Sequence, residues 1–156
     1  MDINYGGIFT KNVRFFRNNI SKYFSLRDEP FSCSVITVAS LSNRLKNDYT
    51  NDERGYFNID GTFTKEGYEI EANKIRTIYR IALDNGIDGL VLGAFGCGVY
   101  NLLPVEVSKL FFDILNEDEF KGNFKKIVFV IYEGKGSNKK QVGRDGKFKP
   151  FYDLFS

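Results

Sequence analysis

The chain has 156 residues, 42% of them hydrophobic, and a formal net charge of +2, which suits one domain around a single core and supplies no bulk charge to draw it to nucleic acid. It has no histidine and two widely separated cysteines, Cys33 and Cys97, which excludes Ser-His-Asp triads, Cys-His dyads, histidine metal sites and a disulfide framework. No stretch approaches the length of a membrane span, and the opening MDINYGGIF is unlike a signal peptide, so the expectation is a reducing, cytoplasmic compartment without membrane partners.

In chain order, Ile8-Phe9 and Val13 to Phe16 read as short edge strands, and Asp28-Glu29-Pro30 as a turn. Residues 31–39, FSCSVITVA, are rich in β-branched residues and read as a buried strand. Residues 41–68 are a polar insertion in which Tyr56 to Ile59 and Thr62 to Thr64 flank Asp60-Gly61. That dipeptide favours a tight hairpin turn, serving either as a lid or as decoration. Residues 69–85 predict a helix with Ile75, Ile78, Tyr79 and Ala82 on one face, stopped by Asn85-Gly86. Residues 89–93, GLVLG, predict a short strand covered on both faces, as in parallel sheets. A helix follows over 104–115, burying Val107, Leu110, Phe111 and Ile114. Residues 126–132, KIVFVIY, are the next strand, and the tail FKPFYDLF predicts a final aromatic turn or helix. The order β-α-β-α-β implies parallel pairing through right-handed crossovers, within one domain over 1–156. Sixteen Phe and nine Tyr make the core aromatic, which lets a short chain bury much area.

The chemistry concentrates in the turn between the 89–93 strand and the 104–115 helix. Gly93, Gly96 and Gly98 fall within six residues, where a plain turn needs one glycine. Such spacing lets the backbone take positive φ and lets a ligand approach closely, and loop amides beside a helix start suit a diphosphate. The turn also follows a parallel strand, where ligands of open α/β sheets bind. The glycine spacing is not G-x-G-x-x-G, and no Gly-Lys-Ser/Thr follows, so neither common nucleotide-binding pattern is present. Phe95 and Tyr100 are candidates for packing on a ribose or adenine ring or for the core. Cys97 has no histidine to act as its base and reads as a small loop residue. Residues 121–149 hold nine Lys/Arg against two Asp/Glu, either a phosphate-facing rim or a solvated surface; no RNA-binding signature accompanies them, and nucleic acid is not the expected partner.

The runs LVLGAFGCGVYN, PVEVSKLFFDIL and FKKIVFVIY, preceded by TKNVRFFRNN and EPFSCSVITVASLSN, together resemble the microbial-type poly(ADP-ribose) glycohydrolases, a branch of the macrodomain superfamily whose loop is commonly GAWGCGVF. The resemblance spans most of the chain in order. It implies a truncated macrodomain-like three-layer α/β fold with a largely parallel central sheet. It also implies that Gly93, Ala94, Phe95, Gly96, Cys97, Gly98, Val99 and Tyr100 hold the diphosphate and distal ribose of ADP-ribose. Asn43, Phe148 and Phe151 are the candidates for adenine or ribose packing. Phe95 stands where the family often has Trp, and Leu103 where it often has a capping Asp.

The family's catalytic Gly-Gly-Gly loop followed by Gln-Glu-Glu is absent: Gly6-Gly7 leads to no such run, and the acid pairs Asp28-Glu29 and Asp52-Glu53 follow no triple glycine. The chain therefore resembles the C-terminal half of the family fold. The leading expectation is an ADP-ribose-binding protein without classical glycohydrolase activity and without a cofactor or metal. The alternatives are an ADP-ribosyl hydrolase using a divergent carboxylate (Asp28, Glu29 or Glu133) and a subunit that completes a split macrodomain. The expected partners are ADP-ribose or an ADP-ribosylated protein, with a homo-oligomer or a separately encoded partner covering an exposed sheet edge.

Overall fold

A computed structural model describes residues 5–43, 53–133 and 146–156. Its elements in chain order are β1 (Gly7–Arg17), β2 (Leu26–Val38), α1 (Lys65–Asp84), β3 (Gly89–Leu92), α2 (Pro104–Leu115), β4 (Lys126–Phe129) and α3 (Phe148–Phe155), with short 3-10 turns at Ile20–Lys22 and Glu53–Tyr56. No helix among the described residues is long and apolar enough to cross a membrane.

The first thirty residues differ from the sequence expectation. The two short edge strands are one strand, β1, interrupted by a bulge: the pairing with antiparallel β2 shifts between Thr10 and Val13, and Asn12 takes a left-handed φ of 55° there. The turn lies at residues 18–25 rather than at Asp28-Glu29-Pro30, which sits inside β2. Asn18 fixes that turn by donating its side-chain amide to Ser25 Oγ and the Leu26 carbonyl, both at 3.1 Å. Outward pairing, including Phe15 stacked on Phe31 with centroids 5.1 Å apart, outweighs the local turn preference of Asp, Glu and Pro. Most of β2 is exposed, and only its last third turns partly inward, so the expectation of a buried strand holds for that end alone.

α1 starts four residues earlier than its periodicity suggests. Thr64 caps it by accepting the Gly67 N–H at 3.2 Å. Gly67 is required because a Cβ there would stand 2.1 Å from the Tyr56 carbonyl oxygen. The Asp60-Gly61 hairpin forms, reduced to one bridge between Phe57 and Phe63, with Gly61 at φ 87°. Residues 44–52 of the predicted insertion lie outside the described residues.

The core is the aromatic cluster expected. Tyr79 of α1 meets Phe111, Phe120 and Phe124, and Phe111 of α2 meets Phe129 and Phe151. The four predicted residues of α2 and the four of α1 all face this cluster. β3 and β4 pair in parallel from Gly89 opposite Lys126 to Leu92 opposite Phe129. β3 is covered on one face only, contrary to the expectation for residues 89–93: Leu90 is buried, while Val91 is 76% exposed, and Val130, just past β4, is 63% exposed. β2 pairs with β1 and not with β3, so the strands form two separate two-stranded sheets.

Candidate functional site

The turn from β3 to α2 divides into a packed floor and an open rim. Phe95 is part-buried against the core, its ring 6.4 Å from Phe111. Gly96 has φ 70°, and a Cβ there would lie 2.3 Å from Ser40 Oγ and 2.4 Å from a Leu102 methyl. Only glycine fits, because the segment following β2 presses directly on this turn. Cys97 is buried; burial pushes its thiol up to about 12, which makes it inert. Internal hydrogen bonds close the floor: Phe95 N–H to the Gly93 carbonyl at 2.9 Å, Cys97 N–H to Ala94 at 3.0 Å and Leu102 N–H to Gly96 at 3.1 Å.

The rim is different. Gly98 is exposed and a Cβ there would meet nothing within 4 Å. Val99 and Tyr100 are 70% and 43% exposed. The N–H groups of Gly98, Val99 and Tyr100 have no acceptor among the described residues. Asn101 turns the chain at φ 59° and donates to the Gly98 carbonyl at 3.1 Å. Three successive amides without an acceptor among the described residues, on exposed residues beside a tight turn, suit an anion. α2 begins immediately afterwards with Pro104 in its first turn and no side-chain cap at Leu103, as the missing Asp implied.

Asn43 is brought to the rim: its N–H donates to the Tyr100 carbonyl at 2.8 Å. Phe148 is half-exposed at the start of α3, with its ring 5.5 Å from Tyr152. Phe151 is 2% exposed, enclosed by Phe111 and Phe129, and offers no face to a ligand. That corrects its assignment as a packing residue for adenine: α3 turns it inward because α2 and β4 need that ring to close the core.

The candidate carboxylates are otherwise engaged or distant. Glu133 accepts the N–H groups of Lys147 and Phe148, the latter at 2.9 Å, and so caps α3. Asp28 and Glu29 lie nine or more residues before the end of β2, about 30 Å away along an extended chain. Glu106 accepts the Phe63 N–H at 2.9 Å, tying the 57–63 hairpin to α2. Asp52, and residues 134–145 of the basic stretch, lie outside the described residues.

Sequence reasoning missed Glu71. It is fully buried on α1 and accepts Ser40 Oγ–H at 2.7 Å and the Leu41 N–H at 2.9 Å. These bonds pin the segment that meets Gly96, so Glu71 positions the loop from beneath. An acidic residue on the apolar face of a predicted helix was the available signal, since a buried carboxylate needs partners.

No protein-family model matches the chain, and no curated protein matches it in sequence. Solved structures do match in fold. Poly(ADP-ribose) glycohydrolase from Thermomonospora curvata bound to the inhibitor ADP-HPD superposes with a TM-score of 0.71 at 22% identity, covering 99% of this chain and 51% of that one. The enzyme from Deinococcus radiodurans in complex with ADP-ribose gives 0.65 at 18%, covering 95% of this chain and 51% of that one. The fold is that of microbial poly(ADP-ribose) glycohydrolase structures, a macrodomain-like α/β fold, and the chain spans about half the length of those structures.

Proposed function

We propose that the rim at Gly98, Val99 and Tyr100 holds the diphosphate of ADP-ribose or a related nucleoside diphosphate, with Gly93 to Cys97 as its floor and Asn43 and Phe148 near the nucleoside. The observation that carries the reading is the set of three neighbouring amides, on exposed residues, that have no acceptor among the described residues on a turn otherwise bonded to itself. The ligands of the two matching structures support it: one holds ADP-ribose and the other the inhibitor ADP-HPD. Free ADP-ribose or an ADP-ribosylated protein is the corresponding partner.

The proposed activity is binding without classical glycohydrolysis. Cleavage of a ribose–ribose bond needs a carboxylate within hydrogen-bond reach of the leaving oxygen, and Asp28, Glu29, Glu133 and Glu71 are distant or engaged as described. Calorimetric titration with ADP-ribose tests the binding, repeated on Gly98→Glu. Saturable binding that the substitution abolishes is expected; equal heats from both proteins sink the assignment. Incubation with ADP-ribosylated protein is expected to release no free ADP-ribose. The second reading is a subunit that completes a split macrodomain; the matching structures are about twice as long as this chain.

A further inference from the structure

The far end of the β1–β2 hairpin carries a cluster that the candidate site does not use. From Thr10 to Phe31 no residue is buried, so this half of the hairpin projects from the core. The turn at its end is nonetheless tightly built. Asn19 Oδ1 accepts the Ser21 N–H at 3.1 Å and the Ser21 hydroxyl at 2.6 Å. Arg17 Nη1 donates to the Phe24 carbonyl at 2.9 Å, and the N–H groups of Tyr23 and Phe24 donate to the Ile20 and Asn19 carbonyls. Tyr23 and Phe24 both sit at left-handed φ, 51° and 54°, an uncommon setting for two bulky residues in succession. This braced turn holds Ile20, Tyr23, Phe24 and Leu26 out in solvent, with Ile20 73% and Tyr23 93% exposed. Its charge has one sign. From Gly6 to Arg27 the chain has five Lys/Arg and no Asp or Glu; Asp28 and Glu29 stand further back along β2. Among the described residues none of the five is in a salt bridge. Arg17 and Arg27 lie instead over the Phe16 and Phe31 rings, 5.6 and 5.0 Å from the centroids. With Lys22, Asn18, Asn19 and Ser21 they line a concavity of about 430 Å³.

We propose that this hairpin end docks on an anionic lipid surface. The apolar turn residues enter the headgroup layer, and the concavity between Arg17, Lys22 and Arg27 takes a lipid phosphate. An apolar patch held rigidly at the end of a projection marks an interaction site. Aromatic residues with one apolar and one wet end suit the lipid–water boundary, and the long cationic side chains can keep their heads at that level while their stems lie along the rings. The sign of the charge selects the surface: each cation near a negative membrane strengthens binding about fivefold. The other occupants fit less well. Bases of single-stranded nucleic acid stack on aromatic faces, but Ile20 and Leu26 are aliphatic, and Phe15 and Phe31 are already stacked on each other. A second copy would bring the same unpaired cations against these. The expectation of a chain without membrane partners rests on the lack of a spanning segment, which docking does not need. The proposal stands whether or not the β3–α2 loop binds a nucleotide, since about 40 Å of β2 separates that loop from the turn.

Co-sedimentation of the protein with phosphatidylcholine vesicles, pure or carrying about one-third phosphatidylserine, tests this. Partition onto the serine-containing vesicles is expected to be at least about tenfold stronger, and to be lost in about 0.5 M salt, where the screening length falls to about 4 Å. Ile20→Ser combined with Tyr23→Asn and Phe24→Asn removes the apolar turn, and asparagine tolerates the left-handed φ. That variant should unfold in urea as the wild type does and bind at least about tenfold more weakly. Lys22→Ala, a single exposed change, should weaken binding about fivefold. No binding, equal binding to both vesicle types, or binding that the triple variant leaves undiminished overturns the proposal. So does a solution dimer that the triple variant dissociates, for then a second copy covers the turn. A single-stranded oligonucleotide that vesicles fail to displace overturns it as well.

Discussion

The floor and the rim of the β3–α2 loop are built from the same glycine-rich run, yet they answer to different constraints. At the floor, Gly96 is glycine because Ser40 and Leu102 leave no room for a Cβ, and Phe95 and Cys97 turn into the core. At the rim, Gly98 has open space around it, so packing does not explain the missing side chain; close approach by the proposed ligand would. The difference teaches that a glycine count does not say which glycines packing requires. The neighbours of each absent Cβ make that distinction.

Removing the support beneath the floor should have the largest effect. Glu71→Ala strands the buried Leu41 N–H and opens a cavity, at a cost of about 3 kcal/mol in urea unfolding. Glu71→Gln keeps one acceptor and should recover part of that. Gly96→Ala comes next at about 2 kcal/mol, from a left-handed φ and two contacts under 2.5 Å. If either variant left stability unchanged, the floor would not be a structural element and the contrast with the rim would fail.

The floor also predicts a pH dependence. Burial raises the Cys97 thiol to about 12 from 9.0 and pushes the Tyr79 phenol well above 10.0. The folded protein then keeps protons that the unfolded chain releases. Stability from this source is full below pH 9 and falls above it, by about 1.4 kcal/mol per pH unit for the thiol alone and more steeply once the unfolded tyrosine titrates. Unfolding free energies at pH 8, 9 and 10 check this, and Cys97→Ala should flatten the curve between pH 9 and 10. A wild-type curve that is already flat there would mean that the thiol is open to solvent and that the floor is not sealed.

The legibility of these features in the sequence follows how far their causes reach. The α2 stripe of Val107, Leu110, Phe111 and Ile114 was legible because one helix period sets it. The loop was legible because its glycines adjoin. Glu71 was not, because its purpose lies in Ser40 and Leu41, some thirty positions earlier and on another element. Asp28-Glu29-Pro30 misled because turn preference is local, whereas that segment's conformation comes from pairing with β1 across the hairpin. The open face of β3 misled for the opposite reason: Val91 is apolar as a covered strand requires, but nothing among the described residues covers it.

The rim should give the smallest change in stability and the largest change in binding. Gly98→Ala meets no neighbour and Gly98 is not among the residues with positive φ, so unfolding should move by no more than about 0.5 kcal/mol. Gly98→Glu should also fold, since its side chain projects into open space. It would set a carboxylate against the incoming diphosphate, and two like charges about 4 Å apart repel by about 4 kcal/mol at an effective dielectric of 20, enough for a loss on the order of 100-fold or more in ADP-ribose affinity. The pair separates the two constraints. A rim that serves binding predicts affinity lost at constant stability for Gly98→Glu. Stability lost together with affinity would make Gly98 one more packing glycine, and the loop would have a floor and no rim.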